Sequence, residues 1–232
     1  MDGPIADALG AHPYYPLGVS IPTYVANTMN AAVLVSIFAA GCGIIFVPTY
    51  LFAVRTRPSI SFGEVLIAFW WVLSQVLTRS GYFSYNHFDM ASKTDLFGQL
   101  WKEYSLSDSR YMTQDPFVVC METVTAFLWG PLSFFIAYAT ITNHSWRHPM
   151  QLLVSMGQMY GDILYYVICW YNEIVNGIAY SRPERYYYWA YFVLCNAFWI
   201  AIPLGLIGNS VKAVARTFDQ AKAMNGSVKK HQ

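Results

Sequence analysis

Charged residues are scarce in this chain. Asp, Glu, Lys and Arg make up 12% of its 232 residues, against about 25% in soluble domains. A net charge of +1 gives no reason to expect a nucleic acid partner. Cysteine is also sparse: Cys42, Cys120, Cys169 and Cys195 each fall inside an apolar run, without the paired spacing of a zinc site. They are expected to be small reduced core residues. No phosphate loop, nucleophile elbow or metal motif occurs, and His87, His144 and His148 lack ligand spacing, so neither cofactor nor metal is expected. There is no internal repeat. The stretch before the first apolar run contains no Lys or Arg, and lacks the basic start and small-residue cleavage site of a signal peptide.

What the chain does contain is apolar surface: 56% hydrophobic residues and 18% aromatics. Five apolar segments run over residues 26–54, 65–83, 117–141, 152–171 and 187–211, each near the roughly 20 residues that carry a helix across hydrocarbon. Unpaired backbone groups are not tolerated in lipid, so helices are the expected form. The reading is an all-α integral membrane protein, five transmembrane helices forming a bundle around an intramembrane cavity. Residues 1–25 are expected as an N-terminal segment, 26–214 as the membrane domain and 215–232 as a tail.

Basic residues orient the bundle. Arg55 and Arg57 follow the first segment, Arg147 follows the third, and the tail carries Lys212, Arg216, Lys222, Lys229 and Lys230. The positive-inside rule places the C-terminus in the cytosol and the N-terminus on the far side. The ending Lys229-Lys230-His231-Gln232 resembles a dilysine retrieval signal, which points to the endoplasmic reticulum membrane. The longest connection, 84–116, is long enough to lid a site or to fold locally. Within it Phe97, Leu100, Trp101 and Tyr104 form an i, i+3, i+4, i+7 stripe, as in a short amphipathic helix at the membrane surface.

Polar groups inside apolar runs are the candidate site. Glu122 lies within FVVCMETVTAFLWGPLSFFIAYATI, where an ionisable group costs about 2.5 kcal/mol or more to insert. Spacings of i, i+3 and i+7 place Glu122, Thr125 and Trp129 on one helical face. Desolvation disfavours the charged carboxylate, which suits Glu122 to act as a neutral acid that protonates carbon. The alternative is a structural hydrogen bond to a neighbouring helix. Gln158 and Asp162, at i, i+4, sit beside Gly157-x-x-x-Gly161, a close-packing signal, so Asp162 serves either helix association or chemistry. Asn196, Trp199 and Pro203 share a face of the fifth run, and an indole there either packs or faces a cation. Arg79 either snorkels to the interface or pairs with a chamber carboxylate.

The strings LWKEYSLSDSRY, VCMETVTAFLWGPLSFF, QLLVSMGQMYGDILYY and NAFWIAIPLGL together resemble the emopamil-binding protein family, the sterol Δ8–Δ7 isomerases of the EXPERA superfamily, from about Gly81 to Gly205. The resemblance implies a five-helix endoplasmic-reticulum fold with a cavity open to the bilayer. It implies protonation of a sterol alkene followed by loss of a neighbouring proton. It makes Glu122 the acid and Trp199 the cation-facing indole, with Asn196, Tyr111 and Thr125 lining the cavity, and it is compatible with a homodimer. One departure stands out. The family has a histidine and a glutamate four apart ahead of its Gly-aromatic-Phe string, where this chain has Val76 and Ser80 ahead of Gly81-Tyr82-Phe83.

Without that pair, ordinary Δ8–Δ7 isomerisation is expected to be impaired. Glu122 then acts alone, Asp162 or Tyr111 substitutes, or the chemistry has changed. The first reading is an isomerase acting on a sterol, steroid or terpenoid-derived polycycle in the lipid bilayer, with an altered substrate. The second is a non-catalytic sterol or lipid receptor that uses the inherited cavity. A third is a membrane scaffold for partner proteins.

Overall fold

The computed structural model describes residues 12–76 and 80–228, with side chains described over 12–75 and 81–224. Among the described residues the chain is helical, without strands. Among these residues, four helices are long and apolar enough to cross a membrane: Ala31–Thr56, Pro116–Ile141, Arg147–Asn176 and Tyr187–Met224. This corrects the expectation of five spans. The second expected span contains a helix, α2 (Phe62–Val76), described over 15 residues. At 1.5 Å per residue it covers about 22 Å, short of the roughly 30 Å hydrocarbon core.

The first span, α1 (Ala31–Thr56), opens on Asn30, whose side chain accepts from the Val33 N–H. It is apolar on all sides, and only 6% of its most apolar window is buried inside the protein. Val35, Ile44, Val47 and Phe52 are exposed around it, so its natural surroundings are acyl chains. Helix α2 begins at a reciprocal capping box: Ser61 Oγ accepts from the Glu64 N–H at 3.3 Å, and Glu64 Oε2 accepts from the Ser61 N–H at 3.1 Å. Glu64 also joins Arg57 at 2.8 Å and Arg147 at 2.6 Å, tying the end of α1 to the start of the Arg147 helix. Two of the basic residues used for orientation therefore share one carboxylate at the same end of the bundle.

Helices α3 (Ser80–Asn86) and α4 (Leu96–Tyr104) occupy the long connection. The expected amphipathic helix forms as α4, capped by Asp95, which accepts from the Phe97 and Gly98 N–H groups. Its outer face is covered by the N-terminal segment. Gln99 Oε1 accepts from the Thr28 and Met29 N–H groups at 2.9 and 3.0 Å, and Lys102 Nζ donates to the Val25 carbonyl at 2.6 Å.

The second span is one rod made of α5 (Pro116–Val124), a π-helical turn over Thr125–Trp129, and α6 (Gly130–Ile141). Asp115 caps it, with Pro116 at the first helical position. Pro131 has no N–H and crowds the carbonyl four residues earlier, and the wide turn immediately before it relieves that conflict. The third span, α7 (Arg147–Asn176), ends at Gly177, whose φ of 66° is the left-handed stop that glycine accepts freely. The last span starts as a π-helical stretch, Tyr187–Leu194, and continues as α8 (Cys195–Val228), so the helix runs on into the expected tail.

Three apolar clusters fill the bundle among the described residues, the smallest being Ala53, Val65, Ala68 and Ile141. One, at the α4 end, gathers Tyr14, Phe83, Tyr111, Val118, Tyr165 and Phe192; a second gathers Trp70, Trp71, Ile136, Val154 and Leu206. Of the small-residue pair on α7, Gly157 meets the Trp129 indole, where an added Cβ would stand 2.6 Å from a ring carbon, while the space at Gly161 is open. Gly157→Ala is therefore expected to cost about 1–3 kcal/mol by overpacking, and Gly161→Ala little; comparing the unfolding midpoints of the two variants in detergent checks this. All four cysteines are free, as expected, but the core position holds only for Cys169, which is buried; Cys42 is intermediate, and Cys120 and Cys195 are exposed.

Candidate active site

Glu122 lies on α5, buried with 8% of its surface exposed, and its Oε1 accepts a 3.0 Å hydrogen bond from the Tyr111 hydroxyl. Tyr111 is held from three sides by rings, with centroids of Phe83, Trp101 and Tyr104 at 5.2, 5.0 and 5.4 Å. Burial, and then the neighbouring Glu122, raise the Tyr111 pKa well above the ordinary phenol value. The phenol therefore stays protonated and remains a donor to the carboxyl. From Tyr111 the contacts continue through Tyr104 to Asn196: the Tyr104 hydroxyl donates to Asn196 Oδ1 at 3.0 Å, and Asn196 Nδ2 donates to the Phe192 carbonyl at 2.7 Å. Three sequence-predicted positions, Glu122, Tyr111 and Asn196, are thus joined through Tyr104, on the extramembrane helix α4.

The short segment that carries Tyr111 is fixed by a buried ion pair that the sequence pattern did not single out. Arg110 Nε and Nη2 grip the Asp108 carboxylate at 3.0 and 2.7 Å, and both residues are fully buried. Arg110 Nη2 also donates to Cys169 Sγ at 2.8 Å, and the guanidinium lies over the rings of Tyr165 and Tyr180 at 5.0 and 5.1 Å. Burial opposes the charge, but Asp108 beside it raises the Arg110 pKa further and keeps the cation. The available signal was the Asp-x-Arg-Tyr spacing of residues 108–111, in which Asp108 also accepts from the Arg110 N–H.

The remaining predicted positions make other contacts. Trp199 packs against Trp70 at 5.2 Å in the second cluster. The shared face expected for Glu122, Thr125 and Trp129 is not kept. The π turn begins at Thr125 and breaks the 3.6-residue period, so Glu122 reaches Tyr111 while Trp129 seats on Gly157. Thr125 is half-buried within that turn. Asp162 and Gln158 are buried on α7, and Asp162 Oδ2 with both amide atoms of Gln158 has no protein hydrogen bond. The side chains of Val76 and Ser80, and all of Arg79, lie outside the described residues. A cavity of about 410 Å³ opens beyond Arg110–Asp108, lined by Cys169, Glu173, Tyr180, Arg182 and Tyr188, and includes none of the predicted site positions. Among the described residues no cluster of three His, Cys, Asp or Glu could hold a metal ion.

A multi-pass helical membrane protein with a buried acid, a phenol held against it and an intramembrane indole pair defines the class. Residues 96–210 match the family described as EBP: EXPERA (EXPanded EBP superfamily). The chain is 37% identical over 205 residues to the 3-beta-hydroxysteroid-Delta(8),Delta(7)-isomerase of Mus musculus, covering 87% of each chain. It is 30% identical over 167 residues to the isomeliandiol synthase of Ailanthus altissima, covering 69% of this chain and 77% of that protein. It is 32% identical over 145 residues to the protoglabretal synthase of Citrus sinensis, covering 61% and 66%. This chain belongs to the EXPERA superfamily, in its sterol-isomerase-like family.

Proposed function

We propose that this protein is a membrane-embedded isomerase that moves a double bond, or runs related carbocation chemistry, in a sterol, steroid or terpenoid-derived polycycle. Glu122 donates a proton to the alkene and Trp199 faces the cation. Tyr111 orients the Glu122 carboxyl, while Asn196 and Thr125 position the guest. Asp162 is a second carboxyl available to take or return a proton. The observation that carries the reading is the buried Tyr111–Glu122 hydrogen bond, in a chain that matches a steroid isomerase over 87% of its length.

The substitution of Val76 and Ser80 for the expected His/Glu pair favours a substrate other than an isolated Δ8 alkene. An enone or an epoxide is protonated on oxygen and needs a weaker acid assembly. Expression in cells that lack sterol isomerase, with sterol profiling and then a panel of oxidised steroids, tests the proposal. New product from an oxidised steroid supports it; binding without conversion of any of them favours the receptor reading.

We also place the protein in the endoplasmic reticulum membrane with a cytosolic tail, on the basis of the terminal Lys229-Lys230, which lies outside the described residues. Replacing both lysines by serine is expected to release the protein to later secretory compartments, as seen by imaging; unchanged reticular localisation would remove the basis for the assignment.

A further inference from the structure

The buried face of α7 carries a line of polar side chains of which the proposed chemistry uses only the last, Asp162. Gln151, Ser155, Gln158 and Asp162 follow one another at i, i+4, i+7 and i+11, so they stack along one face of the helix. Gln151 and Ser155 are fully buried, and Gln158 and Asp162 are 7% and 9% exposed. Gln151 Oε1, Ser155 Oγ, both amide atoms of Gln158 and Asp162 Oδ2 have no protein hydrogen-bond partner. Each such buried group costs about 1–3 kcal/mol when nothing satisfies it. Helix association through these groups would pair them across the bundle, and beyond the Gln151 amide nitrogen, which reaches Leu206 and Ser210, these atoms are not paired.

The line has a polar beginning and a chemical end. At its start Gln151 Nε2 donates to Ser210 Oγ at 2.9 Å, and Ser210 Oγ is 3.4 Å from Nδ1 of the half-buried His148. His148 follows Arg147, which is bound to Glu64 at the bundle end. From His148 to Asp162 the helix rises about 21 Å. One turn past Asp162, the Tyr165 ring lies 6.5 Å from that of Tyr111, the donor to Glu122. The polar line thus runs from a membrane surface to the neighbourhood of the candidate acid.

We propose that His148, Ser210, Gln151, Ser155, Gln158 and Asp162 form a water-bridged proton route between that surface and the buried carboxyls. Resting on the isomerase reading, it accounts for how the site is reset. The alkene carbon, or the oxygen of an activated substrate, gains one proton from the donor acid, and a C–H gives one proton to a base, so turnover consumes none. When donor and base are different groups, each turnover leaves the first deprotonated and the second protonated. One proton must then leave the base and one must reach the donor. Serine hydroxyls and glutamine amides with intervening water are suited to that transfer, and ionisable groups inside membrane bundles commonly mark such relays.

The test reads proton movement directly and needs no substrate. Purified protein in nanodiscs is mixed from H2O into D2O, and the carboxylic-acid C=O band is followed by infrared spectroscopy, with Glu122→Gln and Asp162→Asn assigning the band. Exchange is expected to slow roughly 10²-fold in Gln158→Met and in Ser155→Ala, and to recover in Gln158→Glu. Ser155→Ala removes one atom and decides the matter should Gln158→Met fail to fold. Wild-type exchange rates in the folded variants, or the lack of a protonated band from either carboxyl, would overturn the proposal. Exchange that depends on this route in a protein that converts no steroid would leave the relay standing and remove the isomerase reading instead.

Discussion

Glu122→Gln is expected to lower turnover of whichever steroid the protein converts by about 10²–10⁴-fold, the range that a positioned general acid supplies. The amide keeps the size of the side chain and, in one orientation, its carbonyl can still accept from Tyr111, so the fold is expected to survive. What is lost is the acidic proton. Tyr111→Phe separates positioning from proton donation: it removes the 3.0 Å hydrogen bond and leaves the carboxyl in place. A smaller loss in Tyr111→Phe than in Glu122→Gln is therefore expected. Undiminished turnover in Glu122→Gln would remove this carboxyl from the mechanism.

The second large effect is on stability. Arg110→Ala removes the partner of a fully buried carboxylate and leaves Asp108 uncompensated, which is expected to cost about 3–5 kcal/mol. The same substitution withdraws the guanidinium from between Tyr165 and Tyr180 and from Cys169. The loop that presents Tyr111 loses its anchor, so activity and the unfolding midpoint should fall together. Exchanging both Asp108 and Arg110 for apolar residues leaves no orphan charge and is expected to be milder. A mild Arg110→Ala phenotype in a thermal unfolding assay would show that the pair does not hold this end of the bundle.

How much of this could be read from sequence depends on the distance over which each feature is encoded. The apolar runs located the span 117–141 to within one residue of the helix Pro116–Ile141, and the start of the last span at Tyr187. The third span was begun late, at residue 152, because Arg147 and His148 look like loop residues; Glu64, from 83 positions away, neutralises the first of them inside the helix. The segment 65–83, expected as a span, holds α2, described to Val76, and the start of α3 at Ser80, and an apolar run by itself does not show that neither helix is long enough to cross.

Glu122 was legible because a carboxyl inside an apolar run is conspicuous by itself. The bridge between Tyr104 and Asn196 was not, since it joins residues 92 apart and rests on where α4 docks. The common face of Glu122 and Trp129 failed for a third reason: periodicity arguments assume an uninterrupted α-helix, and a π turn separates the two.

The N-terminal strap, pinned to Gln99 and Lys102, has a kinetic consequence. It covers one face of α4, the helix whose Trp101 and Tyr104 rings hold Tyr111 against Glu122. On the proposed isomerase reading, an apolar guest arrives sideways from the surrounding leaflet and departs the same way. Saturation is accordingly governed by mole fraction in the two-dimensional lipid phase, and diluting the vesicles with buffer should leave the velocity per protein unchanged while diluting them with extra lipid lowers it.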